Sequence, residues 1–281
     1  MHLDRWRGSS SRGIAEAMAR DRARLLRPHT VTFDCWETLL TEARPRRRNS
    51  GRARILCTHT GADSEAAEVA LRDAWREHQI RWHRRGAFTG RDMTLACLRA
   101  LGVTLDSANA ERLIDQMESE ILTHDVVAVA GSRETLEALA RRGVRRALIC
   151  DTGYTPGRVV RQLLARVGLL EHLEVQIFSD EVGVPKPHAL TFRAALDGLR
   201  AAPRGAVHVG DLRRSDVAGA RACDMGTVRI TVENDDTAVD PGPGASVIGC
   251  NEAGCNPPCD RPEADAVVGD YRELRELLGF E

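Results

Sequence analysis

Short apolar segments alternate with helical segments from residue 30 onward, and this alternation restricts the fold more than any other feature of the sequence. Segments with the composition of buried strands lie at 30–33, 145–150, 173–180, 205–211 and 226–232. Helical patterns lie at 132–143, 156–167, 187–200 and 214–223. Strands that alternate with helices at this spacing pair in parallel. The sequence therefore predicts an α/β fold with a doubly wound parallel sheet.

The helix at 132–143 also shows end signals, because Ser132 is a suitable N-cap and Gly143 a suitable C-terminal stop. Near the end of the chain, the stretch "ADAVVGDYRELRELL" predicts one further short strand and a terminal helix. The predicted core thus comprises residues 30–41 and 129–281, preceded by an arginine-rich extension at 1–29.

Residues 42–128 interrupt the alternation and predict helices only, at about 63–84, 90–101 and 107–123. Thr89 and Asp92 have the spacing of a capping box for the second of these helices. The polar stretch "RPRRRNSG" at 44–51 predicts a flexible connection into the insert. An inserted all-helical domain at the mouth of a parallel sheet is well placed to act as a lid.

Composition excludes several classes of function. The 40 Lys and Arg residues nearly balance the 41 Asp and Glu residues, so the net charge of −1 does not favour nucleic acid or an anionic membrane. No apolar run approaches the ~20 residues of a membrane span, and the N-terminus lacks the apolar segment of a secretory signal. We therefore expect a cytoplasmic protein. The oligomeric state leaves no signal in the sequence.

Acidic groups and one amine follow the predicted strands. Asp34 ends the first strand, and Asp211 and Asp216 follow the fourth. Lys186, the only lysine in the chain, follows the third strand between two prolines. Because the carboxyl ends of parallel strands share one edge of a sheet, these groups are expected to converge.

A site of this composition suits phosphoryl transfer. Several buried carboxylates need a cation, and Mg²⁺ prefers oxygen ligands. A carboxylate can attack phosphorus, while a lysine and a metal ion hold the phosphate oxygens. Polar groups after the second strand, in Cys150, Asp151 and Thr152, are candidates for binding a further phosphate oxygen. The sequence thus predicts a small phosphorylated metabolite as substrate.

Four stretches resemble the motifs of the haloacid dehalogenase superfamily of hydrolases. They are "TFDCWETLL", "ALICDTG", "GVPKPHALTF" and "VHVGDLRRSDVAGARACDMGTV". The resemblance covers roughly 30–232 and 264–280, and the helical insert stands where the family carries a cap domain of the first type. It implies a Rossmann-like core, Asp34 as nucleophile and Lys186 orienting it. It also implies Mg²⁺ held by Asp34, Asp211, Asp216 and the main-chain carbonyl of Trp36.

The sequence departs from the family's phosphatases at two positions. The residue two after the nucleophile is usually an aspartate that transfers protons, and here it is Trp36. General acid–base catalysis contributes about 10²–10⁴-fold, so its loss predicts a slower enzyme or help from another group, such as Glu37 or His83. In the second motif, the usual serine or threonine aligns with Cys150. Phosphate binding then depends on Thr152 or on main-chain amides.

Three alternatives stay open beside a Mg²⁺-dependent phosphatase. A 2-haloacid dehalogenase would also lack the second aspartate, but it needs no metal and no pair like Asp211 and Asp216. A phosphonate-cleaving relative would use a cap lysine, which this chain lacks. The third alternative is a catalytically weak scaffold that binds a phosphorylated ligand.

A Cys-, Gly- and Pro-rich insertion at 233–263 interrupts the predicted core. Cys250, Cys255 and Cys259 lie within ten residues there and, with a fourth ligand such as Asp260, are candidates for a structural Zn²⁺ site. Their spacing is not that of the usual zinc knuckles. A disulfide with one free thiol, or three free thiols, are the alternatives.

Overall fold

The computed structural model of the chain describes residues 25–44, 50–233 and 263–280. Most of the N-terminal extension and of the 233–263 insertion therefore lie outside the described residues. Cys250, Cys255 and Cys259 lie outside them too, so the predicted Zn²⁺ site stays a prediction. Among the residues that are described, no helix is both long and apolar enough to span a membrane.

Strands and helices alternate along the core as the sequence predicts. Numbered along the chain, the strands are β1 Thr30–Phe33, β2 Leu40–Glu42, β3 Val126–Ala128, β4 Arg145–Cys150, β5 Val175–Phe178, β6 Ala206–Gly210, β7 Gly226–Ile230 and β8 Ala266–Val268. The α-helices are α1 Ser50–Thr60, α2 Ser64–His83, α3 Gly90–Ala100, α4 Ser107–Ser119, α5 Ser132–Arg141, α6 Gly157–Arg166, α7 Ser179–Val182, α8 Ala189–Leu199, α9 Ala218–Ala222 and α10 Tyr271–Leu278.

Six strands form one sheet in the order β5-β4-β1-β6-β7-β8, and every neighbouring pair is parallel. β1 lies near the middle, with Phe33 level with Leu148 of β4 and with Val209 of β6. The chain passes from β1 to β4 and β5 on one side, and continues with β6 on the other. This reversal is the switch point at which parallel sheets bind ligands beyond their carboxyl ends.

Helices cover both faces of this sheet. On β4, Leu148 and Cys150 belong to a core cluster that includes residues of α5, α6 and α10, whereas Ala147 and Ile149 belong to a second cluster with α8 and α9. This division follows from the two-residue period of a strand, which sends successive side chains to opposite faces. Each fully buried leucine or phenylalanine contributes about 1.5–3 kcal/mol to folding. The predicted Rossmann-like, doubly wound architecture is confirmed.

Helices α1 to α4 pack around an apolar cluster of their own, which includes Leu56, Leu71, Met93 and Leu113. They are joined to the core by β2 and β3, which pair in antiparallel fashion. The prediction of helices only was therefore wrong at the ends of the insert. Strands of three residues are too short to show an alternating pattern.

Two further predictions at helix starts need correction. Ser50 and Gly51, the last two residues of the predicted flexible stretch 44–51, begin α1, whereas residues 45–49 lie outside the described residues. Ser132 is not the N-cap of α5, since Gly131 takes that position at φ +82°. A Cβ at Gly131 would lie 2.8 Å from the Cβ of Tyr271, so this turn needs glycine. The capping box of Thr89 and Asp92 is confirmed.

Tyr271 fastens the C-terminal helix to the loop after β1, because its buried hydroxyl donates a 2.7 Å hydrogen bond to the Thr38 carbonyl. Replacing Tyr271 with Phe leaves that carbonyl without its partner, and we expect a loss of about 1–2 kcal/mol in the free energy of unfolding, measured by urea denaturation. Tyr154→Phe is the matched control, because that hydroxyl makes only a 3.9 Å contact to a sulfur atom. Equal losses in the two variants would contradict this assignment.

Candidate active site

Three carboxylates meet at the carboxyl ends of β1 and β6. Asp34 follows β1, Asp211 follows β6, and Asp216 lies in the π-helical turn Arg213–Val217. One oxygen atom from each carboxylate lies within 4.8 Å of the other two. All three residues are buried, at 8%, 3% and 1% exposure for Asp34, Asp211 and Asp216. The structure therefore brings together the three side chains that the sequence nominated as metal ligands.

The only lysine of the chain lies inside this cluster. Nζ of Lys186 donates hydrogen bonds to Oδ1 of Asp34 and, at 2.6 Å, to Oδ1 of Asp216. Burial alone would lower the pKa of Lys186, but the neighbouring carboxylates of Asp216, Asp34 and Asp151 raise it well above its usual value. The ammonium group is therefore charged and in direct contact with the candidate nucleophile.

One ammonium group does not balance the negative charge of the cluster. Burial raises the pKa of Asp34 well above its usual value, and Asp216 and Asp211 raise it further against the opposing effect of Lys186. Burial also acts to raise the pKa of Asp216, but Lys186 and His208 bring it below its usual range. Three buried carboxylates of this kind fit a hard divalent cation such as Mg²⁺, which prefers oxygen ligands.

Asp216 is held from several sides. Its Oδ1 accepts a 3.1 Å hydrogen bond from Nε2 of His208, and its Oδ2 accepts one of 3.0 Å from the Leu212 amide. Burial lowers the pKa of His208, so the ring is neutral, and the Thr32 hydroxyl donates to Nδ1 at 2.8 Å. His208 was not predicted from the sequence as a site residue, although a histidine within the otherwise apolar strand "AVHVG" indicates a buried polar contact.

Gly210 leaves the space in which the Asp216 side chain lies. A Cβ placed on Gly210 would come within 2.4 Å of Cγ of Asp216, closer than any normal contact. The residue before Asp211 therefore has to be glycine for Asp216 to approach the strand end. This close approach explains the Gly-Asp pair at the end of β6.

Asp151 connects the lysine loop to the helical insert. Its Oδ1 accepts a 2.8 Å hydrogen bond from the Lys186 amide, and its Oδ2 accepts one of 2.8 Å from Nε1 of Trp82, in the last turn of α2. The guanidinium carbon of Arg214 lies 3.1 Å from the centre of the Trp82 ring. Trp82 is thus a contact between insert and core that the sequence did not predict. The Asp151 side chain positions the lysine loop.

Cys150 and Thr152, the other candidates for phosphate binding, have protein partners. A hydrogen bond with Cys35 and burial raise the pKa of the Cys150 thiol, which also donates to the Asp151 carbonyl. The Thr152 amide donates to Oγ of Ser179 at 2.8 Å, and the two hydroxyl oxygens lie 3.0 Å apart. A protonated thiol is a weak hydrogen-bond donor, so the Thr152 and Ser179 hydroxyls are the stronger polar groups here.

Trp36 lies in the turn after β1, two residues beyond Asp34, and is half buried against the core. Its backbone forms a β-bridge with Leu40. The next residue, Glu37, has a φ of +57°, and its carboxylate accepts a 3.3 Å hydrogen bond from the Thr41 hydroxyl. Glu37 therefore contacts β2, and the indole beside Asp34 has no proton to exchange in catalysis.

A cavity with room for about one water molecule lies between the insert and the core beside this cluster. The core contributes Thr152, Ser179, Asp180 and Pro185, and the insert contributes His78, Trp82, Phe88, Thr89 and the intervening loop. His83, the insert histidine named from the sequence as a substitute proton donor, is not one of the lining residues. His78, which the sequence analysis did not single out, is one of them.

Comparisons with known proteins agree with this arrangement. The sequence family of haloacid dehalogenase-like hydrolases matches residues 28–224. Haloacid dehalogenase-like hydrolase domain-containing protein 3 of Xenopus laevis is 29% identical over 206 residues, which is 69% of this chain and 81% of that protein. A glyceraldehyde 3-phosphate phosphatase of Pyrococcus furiosus is 35% identical over 102 residues, which is 36% of this chain and 40% of that protein.

Solved structures share the fold. A HAD phosphatase from Thermococcus onnurineus superposes with a TM-score of 0.58 at 22% identity, covering 90% of this chain and 98% of that one. Solved 2-haloacid dehalogenases match at a similar level, so likeness of fold does not separate the two chemistries. Family match, fold and strand-end carboxylates together place the chain among the haloacid dehalogenase-like hydrolases.

Proposed function

We propose that the protein is a Mg²⁺-dependent phosphatase that hydrolyses a small phosphorylated metabolite through a phosphoryl-aspartate on Asp34. One observation carries the proposal, namely the meeting of Asp34, Asp211 and Asp216 around the Lys186 ammonium group. A nucleophilic carboxylate repels a phosphate dianion unless positive charge lies between them. Among the described residues, this cluster combines the nucleophile, the amine and an oxygen-rich metal site.

Each of these residues has a separate task in the proposed reaction. An oxygen of Asp34 attacks phosphorus, the bond to the leaving oxygen breaks and that oxygen takes a proton from solvent. Water then cleaves the phosphoryl-aspartate, which releases inorganic phosphate and regenerates Asp34. Lys186 neutralises the incoming phosphate and keeps the Asp34 oxygen oriented. Asp34, Asp211, Asp216 and the Trp36 carbonyl would hold Mg²⁺, which supplies charge neutralisation at the phosphate oxygens. Thr152 and Ser179 offer hydroxyls beside the lysine loop.

Trp36 sets the expected speed of the second half of the reaction. Because its indole cannot activate water, hydrolysis of the phosphoryl-aspartate loses an acid–base contribution of about 10²–10⁴-fold. Trp36 has no titratable group, and the Glu37 carboxylate accepts a hydrogen bond from Thr41 in β2. Protonation of the leaving group loses the same help, so we expect the covalent intermediate to accumulate with esters whose leaving group needs no proton, such as p-nitrophenyl phosphate.

The helical insert, which we assign to residues 42–128, serves in this proposal as a cap over the site. Its contact to the core through Trp82 and Asp151 lies next to Lys186, so cap position and lysine position are linked. The cavity beneath the insert holds about one water molecule, and admitting a substrate therefore requires the insert to move. The phosphatase name of the Pyrococcus furiosus relative also supports a phosphorylated substrate.

A dehalogenase or a non-catalytic scaffold would give different results in one assay. We expect the wild-type protein to release phosphate from a panel of phosphate esters only when Mg²⁺ is present. A chelator should abolish this activity. Asp34→Asn should lower turnover at least about 10³-fold, because the nucleophile is gone. Asp197→Asn, on the exposed side of α8, is the matched control. Halide release from 2-haloacids without metal would contradict the proposal, and so would full activity of Asp34→Asn.

Gly210→Ala tests the metal site without removing a ligand. The new Cβ displaces Asp216, and we expect the affinity for Mn²⁺, followed by electron paramagnetic resonance, to fall at least about 10-fold. Gly269→Ala is the control, since its new Cβ would have no neighbour closer than 3.5 Å. Unchanged Mn²⁺ affinity in Gly210→Ala would show that Asp216 does not bind the ion.

A further inference from the structure

The cavity beneath the insert contains a histidine whose hydrogen-bonding state is fixed by its neighbours. Nδ1 of His78 lies 2.7 Å from the Phe88 carbonyl, which can only accept, so Nδ1 carries the proton. Burial lowers the pKa of His78, and the ring is neutral. Its Nε2 is therefore an acceptor. Nε2 lies 3.7 Å from the position of a Cβ on Gly153, in the loop after β4.

The ring of His78 is held in place on the cavity wall. It stacks on Trp75 with ring centres 4.9 Å apart, and the Phe88 carbonyl fixes its rotation. One face of the ring and its Nδ1 atom are thus in contact with the protein itself. His78 lines the cavity, and its Nε2 has no hydrogen-bond partner among the described residues, so Nε2 is the polar atom of the ring that a ligand can reach.

The other polar groups of the cavity are mostly acceptors as well. The Asp180 carboxylate lines it and receives hydrogen bonds from the Gly157 amide and the Thr152 hydroxyl. The Thr89 hydroxyl already donates to Asp92 at 2.8 Å. A ligand in this cavity therefore meets lone pairs and a negative charge.

The cationic side chains near this cavity lie behind its wall. Among the described residues that line the cavity, there is no arginine or lysine. The guanidinium groups of Arg81 and Arg214 lie against the rings of Phe88 and Trp82 instead. A carboxylate placed in the cavity would face Asp180 without a cation among the lining residues, which is unfavourable.

We propose that His78 Nε2 binds a hydroxyl group of the substrate's leaving group, so that the enzyme prefers small phosphorylated polyols over phosphorylated carboxylic acids. This inference rests on the proposed phosphatase function and adds its substrate class. The cavity adjoins the reaction centre, because its lining residues Thr152 and Pro185 are the chain neighbours of Asp151 and Lys186. A site that accepts a hydroxyl proton rejects ligands that lack the donor.

The test compares glycerol 3-phosphate, phosphoglycolate and p-nitrophenyl phosphate in wild type and His78→Leu. We expect wild type to favour glycerol 3-phosphate over phosphoglycolate at least about 10-fold in kcat/KM. His78→Leu should lower kcat/KM for glycerol 3-phosphate at least about 10-fold and that for p-nitrophenyl phosphate less than about 3-fold. His59→Leu, in α1 of the insert and outside the cavity, is the matched control, and we expect both substrates to be turned over as in wild type.

Binding to Asp34→Asn separates this inference from the proposed function. Calorimetry should show glycerol 3-phosphate binding more tightly than phosphoglycolate, with the preference lost in Asp34→Asn/His78→Leu. A preference for phosphoglycolate, or an equal loss for all three esters in His78→Leu, would overturn the role of His78. Absence of phosphate release from every ester by wild type, with the binding preference intact, would overturn the phosphatase and leave the polyol site standing.

Discussion

Mutual repulsion among three buried carboxylates is the constraint on which the rest of this structure depends. Asp34, Asp211 and Asp216 come from separate loops, and the ammonium group of Lys186 offsets only part of their charge. Such a cluster is stable only if its side chains are held in position and a cation completes the balance. Two features of the structure hold the Asp216 side chain in position. Gly210 leaves room for Asp216, and His208, on the same strand β6, donates to the Asp216 carboxylate.

The parallel sheet is what makes this convergence possible. Strands β1, β4 and β6 lie side by side, so the residues that follow them meet at one edge, although the residues after β1 and β6 are more than 170 positions apart in the chain. Asp151, after β4, extends the arrangement to the insert by accepting from both Lys186 and Trp82. One carboxylate therefore contacts both the main chain of the lysine loop and the insert.

The sequence predicted the core well because periodicity and strand-end residues are local signals. It predicted the meeting of Asp34, Lys186, Asp211 and Asp216, since parallel pairing leaves few other arrangements. It did not predict the β2–β3 ribbon, whose strands are too short for a pattern, or the start of α1 at Ser50.

The sequence also did not predict contacts between side chains that are far apart in the chain. Whether Trp82 meets Asp151, or His78 faces the cavity, depends on how the insert packs on the core, and no local spacing encodes that packing. Ser132 was predicted as an N-cap from its residue type alone, but the helix is capped by Gly131, where the close approach of Tyr271 requires glycine.

The central claim is that Asp34 becomes covalently phosphorylated beside a divalent ion, and trapping that bond tests it most directly. The protein would be mixed with p-nitrophenyl phosphate and Mg²⁺, quenched in acid, reduced with tritiated borohydride and mapped by peptide mass spectrometry. Reduction converts a phosphorylated aspartate to homoserine. We predict tritium at position 34, dependent on Mg²⁺, in an amount raised by the slow hydrolysis expected with Trp36. Release of phosphate with position 34 unlabelled, or with label at another aspartate, would contradict the account.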